Sequence, residues 1–462
     1  MGDMGQPTRQ LAFGWETVGE AQPVPSEGSR PAAAPDQAGA LATGLMEAVV
    51  DAANMRRALQ RVRANQGSPG IDGVTVNELA DELQAQWPGL REALLAGEYR
   101  PEPVKRVTIP KPGGGERELG IPTVVDRVIQ QALVQVLSPM YDPGFSPSSY
   151  GYRPGKSAHQ AVEQARAYVA AGYGWVVDLD LERFFDRVNH DVLLGRLAKR
   201  IGDKRLLRLV RRYLEAGVLL NGVVVERGEG TPQGGPLSPL LSNILLDEWD
   251  KELERRGHQF CRYADDCMIF VRSERAGARV LGSVSKWLEA VLRLQVNRAK
   301  SAVGRPSERR YLGFCIMGAT EAWVSIAPQS VARAKATIRR ITRRSRGVRF
   351  EQVLEELGRF TDGWVGYYRL ARTAWRFREL DGWVRRRLRC YQWKQWKTPR
   401  RRALALRRAG VGKYLAYGTA YDGPGLWRAA ATPALHQALG NALLVRLGYH
   451  SLLTRYQSLA PG

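Results

Sequence analysis

The chain holds 462 residues, 44% of them hydrophobic, with 69 Lys+Arg against 46 Asp+Glu and a formal net charge of +23. That length corresponds to about three domains, and the apolar fraction excludes wholesale disorder. Its four cysteines (Cys261, Cys267, Cys315, Cys390) form no C-x-x-C pair, which argues against a zinc ribbon or a disulfide scaffold, and no apolar run of about 18 residues predicts a membrane span.

No charged-then-apolar secretory leader opens the chain, so a reduced, soluble, cytoplasmic protein is expected. Residues 1–44 are rich in Pro, Gly, Ala and Gln and read as a disordered leader. Apolar periodicity predicts a helix over 45–64, followed by a turn-rich loop from Asn65 to Gly73. Val104 to Pro122 reads as strand, Gly-rich turn, strand; Thr123 with Asp126 then resembles a capping box opening a helix. Trp175 to Leu179 is a short strand, and 203–217 an amphipathic helix. Val218 to Val225 is a hairpin turning at Asn221-Gly222. Ser238-Pro239 suits a helix cap followed by Pro at the first helical position, with the helix running over 239–255. Phe260 to Val271 reads as strand, turn, strand with Ala264-Asp265-Asp266 at the tip, and 309–318 as one more strand.

Strands and helices interleave irregularly, so the expected class is α+β. From about 331 onward only helices are predicted. Residues 331–410 carry 24 Lys+Arg against 6 Asp+Glu, whereas residues 1–50 carry 2 against 6. A block so basic repels itself unless a polyanion neutralises it, and nucleic acid is the first choice over a solvated face or an acidic membrane. Trp364, Trp375, Trp383, Trp393 and Trp396 lie among those charges, which favours a folded domain with packing or stacking surfaces over a tail.

Three patterns carry the chemistry: Asp178-Leu-Asp180-Leu-Glu-Arg-Phe-Phe-Asp186, Thr231-Pro-Gln-Gly-Gly-Pro-Leu-Ser-Pro239 and Tyr263-Ala-Asp265-Asp266. Adjacent acids at a hairpin tip are ordinary turn chemistry when they stand alone. Like charges side by side are nevertheless unfavourable unless a cation sits between them, and Mg²⁺ takes oxygen ligands from few carboxylates plus substrate phosphates. Two such ions about 3.5–4 Å apart would clamp the attacking and leaving oxygens of a phosphoryl transfer. Asp180 is the choice from the first pattern, with Asp178 and Asp186 as alternatives serving turns or caps.

Seven blocks appear in one order: IPKPGGGERELGIPTVVDRVIQQAL (109–133), SYGYRPGKSAHQAV (149–162), VVDLDLERFFDRVNHD (176–191), GTPQGGPLSPLLSNILLD (230–247), RYADDCMIF (262–270), LQVNRAKS (294–301) and RRYLGF (309–314). They resemble the group II intron-encoded reverse transcriptase/maturase family over roughly residues 50–450. The resemblance implies a right-hand polymerase with fingers and palm over 45–325, then an all-α thumb and maturase domain with a C-terminal tail over 326–462. It implies that Asp180, Asp265 and Asp266 hold two Mg²⁺ ions, or Mn²⁺ in their place, with the backbone carbonyl of Leu181 completing the shell. Lys111 and Arg117 would close over the incoming triphosphate, Gln233 would contact the nucleotide, and Lys300 would donate a proton to pyrophosphate. Phe185 falls where the family places an aromatic gate against the 2′-hydroxyl, and Tyr311 to Phe314 where a hairpin grips the primer end.

In the helical region, LGRFTDGWVGYY (357–368) and VRRRLRCYQWKQWK (384–397) resemble the maturase domain. Arg385, Arg386, Arg387 and Arg389 cover all faces of one turn and, with Lys394 and Lys397, are the expected RNA-binding residues. Many relatives end in an HNH-type endonuclease; here Cys390 is the last Cys and only His436 and His450 follow, so the endonuclease-lacking class is expected. The implied activity is RNA-directed DNA polymerisation with assistance to intron splicing and retrohoming. The implied partners are group II intron RNA, an RNA template with a DNA primer, deoxynucleoside triphosphates and target DNA at the bacterial nucleoid, with no membrane. A domesticated reverse transcriptase in defence or repair, a non-catalytic RNA-binding splicing factor, and an RNA-dependent RNA polymerase (which Phe185 argues against) are the alternatives.

Overall fold

The computed structural model describes residues 41–110, 116–220, 223–225, 229–230, 234–421 and 425–459. The leader up to residue 40, the Gly-rich turn with Lys111, the Asn221-Gly222 turn and Gln233 lie outside the described residues. The chain divides into two compact units, 41–312 with 318–322, and 313–317 with 323–459.

In the first unit the expected helix over 45–64 is two, Leu45–Val49 (α1) and Ala52–Ala64 (α2). The break falls where the Asp51 carboxylate accepts from the backbone N–H of Ala53 and Asn54 at 2.9 and 3.1 Å, capping a fresh start. The last residues assigned to the leader are part of the fold, because Ala42 exchanges backbone bonds with Arg200 and Gly202. A helix not expected above spans Leu79–Ala96 (α3); it carries Pro88 inside it and ends at Gly97 in the left-handed region (φ 70°). Val104–Pro110 (β1) and Glu116–Ile121 (β2) pair antiparallel as expected. Thr123 caps Val124–Tyr141 (α4), and Asp126 accepts the hydroxyls of Thr123, Tyr99 and Tyr213 at 2.9, 2.9 and 3.1 Å. Ala158–Ala170 (α5) precedes Trp175–Leu179 (β3), and His190–Ala198 (α6) and Lys204–Glu215 (α7) follow. Val218–Leu220 (β4) and Val223–Val225 (β5) extend the first sheet in the order β2-β1-β4-β5. Ser238–Arg255 (α8) takes Leu237 as its cap; Ser238 is the first helical residue rather than the cap. Gln259–Tyr263 (β6), Asp266–Val271 (β7), Glu274–Trp287 (α9) and Ala302–Gly304 (β8) complete the unit.

The second sheet has the order β6-β7-β3-β8 and positions the acids. Side chains alternate across a strand, and directly opposed residues share a face. Val177, Leu179, Cys267 and Ile269 point into the main hydrophobic core. The opposite face therefore carries Asp178.

In the second unit the expected strand over 309–318 is only Phe314–Met317 (β9), paired antiparallel with Trp323–Ile326 (β10). Leu312 and Gly313 just before it stand at φ 49° and 83°, a turn that no strand can pass through. Helices follow: Pro328–Ile341 (α10), Phe350–Tyr368 (α11), Ala374–Gln395 (α12), Pro399–Arg408 (α13), Lys413–Tyr421 (α14), Leu426–Ala429 (α15), Pro433–Ala438 (α16), Asn441–Arg446 (α17) and Leu452–Leu459 (α18). Trp364, Tyr368 and Phe377 pack ring on ring, and Tyr456 stacks on Phe377 at 4.4 Å. Buried Asp381 accepts from Tyr449 and Ser451 hydroxyls and from the N–H of Leu452 and Leu453, holding the start of α18 against α12.

Candidate active site and nucleic-acid interface

Strand β3 pairs with β7 so that Leu179 faces Cys267. One step further along this antiparallel register sets Asp180 opposite Asp266, on the same face as Asp178. Tyr263 pairs with Asp266 across the β6–β7 hairpin, so the tip is Ala264-Asp265 alone and Asp266 is a strand residue, a correction to the expected tip. Ala264 turns the chain in the left-handed region, at φ 56°. Asp178, Asp180, Asp265 and Asp266 are each half-buried, so solvent reaches them.

Their charges interact. Burial pushes the Asp266 carboxyl well above the usual carboxylate range, and Asp178, Asp265 and Asp180 push it further while Arg310 opposes them. Burial likewise raises Asp178 to about 6, against Arg309 and with Asp180. The opposing cations come from one stretch of chain: Lys300 Nζ lies 3.6 Å from Asp180, and Arg309 4.0 Å from Asp178. Lys300, expected at the pyrophosphate, thus stands beside Asp180. The backbone around Leu181 is fixed on the same stretch. The Asp180 carbonyl accepts from Asn297 N–H at 2.8 Å, Glu182 N–H donates to the Gln295 carbonyl at 2.8 Å, and Asp180 N–H donates to Ser301 Oγ at 2.9 Å.

An oxygen-only donor set of clustered carboxylates suits a hard divalent cation. Among the described residues no three His, Cys, Asp or Glu side chains close on one point as a metal-binding group. A cation that keeps substrate phosphates and water in its shell needs only one or two carboxylates, so the residues present fit it.

Phe185 lies in a 3₁₀ turn at Phe184–Asp186, its ring edge-on to Phe184 at 5.1 Å and 8% exposed. It is foremost a core residue. Gly230, which opens the Thr231–Pro239 pattern, is clamped to that turn. Its N–H donates to Val188, His190 Nε2 meets its carbonyl at 2.6 Å, and an added Cβ would lie 2.8 Å from the carbonyls of Phe185 and Asp186. Gly234 approaches Gly120 of β2 as closely. Arg117 pairs with Ile109 through its backbone in β1–β2. Tyr311 is buried with its hydroxyl unpartnered among the described residues, and Phe314 packs on Tyr367 and Tyr368.

The sequence does not reveal what supports the hairpin. Arg262, one residue before the YADD turn, is buried and bonds both oxygens of buried Asp250 at 2.7 and 2.5 Å. It also reaches Ser149 Oγ, Asn243 Oδ1 and the Ala264 carbonyl at 2.8, 3.1 and 2.9 Å. Asn243 in turn donates to the Gly151 carbonyl at 2.8 Å, and Gly151 lies against the backbone of Tyr263 and Ala264 with no room for a Cβ. The SYGYRP and RYADD blocks are thereby locked together. A bidentate acid twelve positions upstream leaves no local signal.

The basic helix α12 needs correction. Arg387 donates to Thr342 Oγ1 at 2.6 Å and to the carbonyls of Arg339 and Thr342 at the end of α10. Arg389 is buried and donates to the carbonyls of Ala430 and Leu439, which end α15 and α16. Arg386 donates to the Trp427 carbonyl and lies over its ring at 4.2 Å, and Arg385 stands 3.9 Å from Asp381. Helix C-termini carry unpaired carbonyls and partial negative charge, and Arg387 and Arg389 donate to them; Arg389 is buried by that role, whereas Arg385, Arg386 and Arg387 are half-buried. Lys394 and Lys397 are exposed.

Residues 109–316 match the family model described as reverse transcriptase (RNA-dependent DNA polymerase), and residues 331–410 the group II intron, maturase-specific domain. The chain is 32% identical to Protein YkfC of Escherichia coli (strain K12) over 289 residues, 54% of this chain and 75% of that protein. It is 36% identical to Group II intron-encoded protein LtrA of Lactococcus lactis subsp. cremoris over 197 residues, 42% of this chain and 32% of that protein. The chain thus spans about a third of LtrA's length. Among solved structures, a chain of a partial Cas6-RT-Cas1–Cas2 complex covers 53% of this chain at 28% identity and a TM-score of 0.36, and 42% of its own length is matched.

Proposed function

This chain belongs to the group II intron-encoded reverse transcriptase/maturase family, and from that premise we propose that it copies RNA into DNA at the four-acid face of its second sheet and binds intron RNA to assist splicing. The observation that supports the reading is the β3–β7 register, which pairs Leu179 with Cys267, so that the strand ends adjoining Asp180 and Asp266 meet beside the turn that carries Asp265.

Asp180, Asp265 and Asp266 would hold the divalent ions, with the Leu181 carbonyl beside them. Bound there, the ions would sharpen the primer 3′-hydroxyl as a nucleophile and offset charge on the triphosphate. The chain's own residues do the rest. Ser301 and Asn297 hold the Asp180 backbone, and Arg262 holds the turn that carries Asp265. Lys300 is within reach of Asp180 and supplies a mobile cation at the site's edge. Lys111, Arg117 and Gln233 are assigned to the incoming nucleotide, and Phe185 to the exclusion of its 2′-hydroxyl. Mg²⁺ is the assigned ion; intron RNA, a DNA primer on an RNA template, deoxynucleoside triphosphates and target DNA are the assigned partners.

The test is primer extension on an RNA template in Mg²⁺. The wild-type chain extends the primer. The double variant D265A/D266A does not, while retaining RNA binding. Full extension by the double variant refutes the assignment, and absence of extension by a folded, RNA-binding wild type favours the splicing-factor reading.

A further inference from the structure

Helix α14 is built inside out. Its buried residues are Ala416 and Ala420, which join Ala403, Leu406 and Val411 in a small core around Trp393. Its large rings point outward: Tyr414 is 93% exposed, Tyr417 40% and Tyr421 58%. Positions 414, 417 and 421 fall on one helical face. The rings of Tyr417 and Tyr421 are parallel within 8°, with centroids 6.1 Å apart. A buried Tyr removes about 150–250 Å² from water, so folding alone would favour the reverse arrangement. Three rings held in solvent on one face mark a contact surface.

The charge of this part of the sequence is equally one-sided. After Asp381 the chain carries fifteen Lys+Arg and one acid, Asp422. Arg400, Arg401, Arg408, Lys413 and Arg428, on α13 to α15 or adjoining them, are exposed, and among the described residues none is ion-paired. This differs from Arg387 and Arg389 of α12, which donate to carbonyls at helix ends. The maturase-domain match ends at residue 410, so it takes in the cations of α13 while the tyrosines of α14 lie beyond it.

We propose that the tyrosine face of α14 with the cations of α13 and its neighbours binds unpaired RNA, stacking bases on Tyr414, Tyr417 and Tyr421 and holding phosphates on the basic side chains. This rests on the RNA-binding half of the function proposed above and not on polymerase activity. Flat faces and uncompensated cations together match a nucleotide whose base is free to stack. A duplex hides its base faces, and an acidic protein patch would use the cations and leave the rings idle. Single-stranded loops are where RNA offers both at once.

The test uses the full chain and a labelled, unstructured 16-nucleotide RNA, with affinity measured across a salt series. Y414S/Y417S/Y421S weakens binding by about tenfold or more while the slope of log affinity against log salt is unchanged. Y414F/Y417F/Y421F binds as wild type, because the rings remain. R400Q/R401Q/R408Q lowers the slope. Primer extension on a preannealed primer–template is recorded in parallel and is unchanged in the serine variant; a wild type that fails to extend would sink the polymerase reading and leave the binding result standing. Wild-type affinity in the serine variant overturns the proposal. So does equal loss of affinity for duplex RNA, tighter binding of the matched DNA strand, or a change in sedimentation showing that the face joins two copies of the chain.

Discussion

The Arg262 guanidinium grips both oxygens of Asp250 through Nε and Nη2 in a site closed to solvent; Nη2 also donates to Ser149 Oγ, and Nη1 to the Ala264 carbonyl. Burial pushes the Asp250 carboxyl up, and Arg262 pulls it back. Removing one partner of such a pair strands the other charge and costs about 3–5 kcal/mol. R262M should therefore lower unfolding stability by that order in a urea titration. The double variant R262M/D250L should recover most of it, because apolar replacement of a buried pair is often neutral. Primer extension should stay depressed in the double variant, since the Ala264 carbonyl has still lost its donor. Restored extension would show that the pair serves stability alone.

Gly230 stands at φ 90° with the carbonyls of Phe185 and Asp186 beside it. G230A should cost about 1–3 kcal/mol through strain at that position. H190A, which removes the bond to the Gly230 carbonyl, should cost about 1–2 kcal/mol, and H190Q less because the amide restores a donor. Thermal unfolding of the three variants measures the order.

Phe185 makes a core contact with Phe184 and is the residue proposed as the sugar gate. F185V should lower the preference for deoxy- over ribonucleotides by about tenfold or more in competitive incorporation. It should also cost about 1–3 kcal/mol of stability. A stability loss with unchanged sugar preference would reduce Phe185 to packing.

The arginines of α12 make an opposite pair of expectations. R389A strips donors from the carbonyls of Ala430 and Leu439 and should cost about 1.5–3 kcal/mol in unfolding. K394A and K397A should each change stability by no more than about 0.5 kcal/mol. Each should instead lower the salt slope of RNA binding by about one if the lysine meets a phosphate.

Local chemistry made much of the fold readable. Strand β3, helix α7, the Thr123 cap and the YADD hairpin all follow from period, caps and turn residues within a few positions. The departures have local or tertiary causes. Asp51 splits an otherwise continuous apolar pattern, and Leu312 enters a left-handed turn that its side chain does not advertise. The acids could be read because two blocks carry two of them each, Asp178 with Asp180 and Asp265 with Asp266. The supports could not: Arg262 finds Asp250, and Arg389 finds two helix ends, only once the chain has folded. Basic residues that cap carbonyls and those left in solvent look alike in sequence, so the buried role of Arg389 could not be told from that of Lys394 or Lys397.

The central claim is that residues 178–182 and 263–267 bind one cluster of divalent ions. Fe²⁺ exchanged for Mg²⁺ in the full chain, with ascorbate and peroxide, cleaves the backbone beside whatever binds it. Two cleavage sites are expected, one in each stretch, both competed by Mg²⁺ and both lost in D180A/D265A. Cleavage at one stretch alone, or elsewhere with both intact, would contradict it.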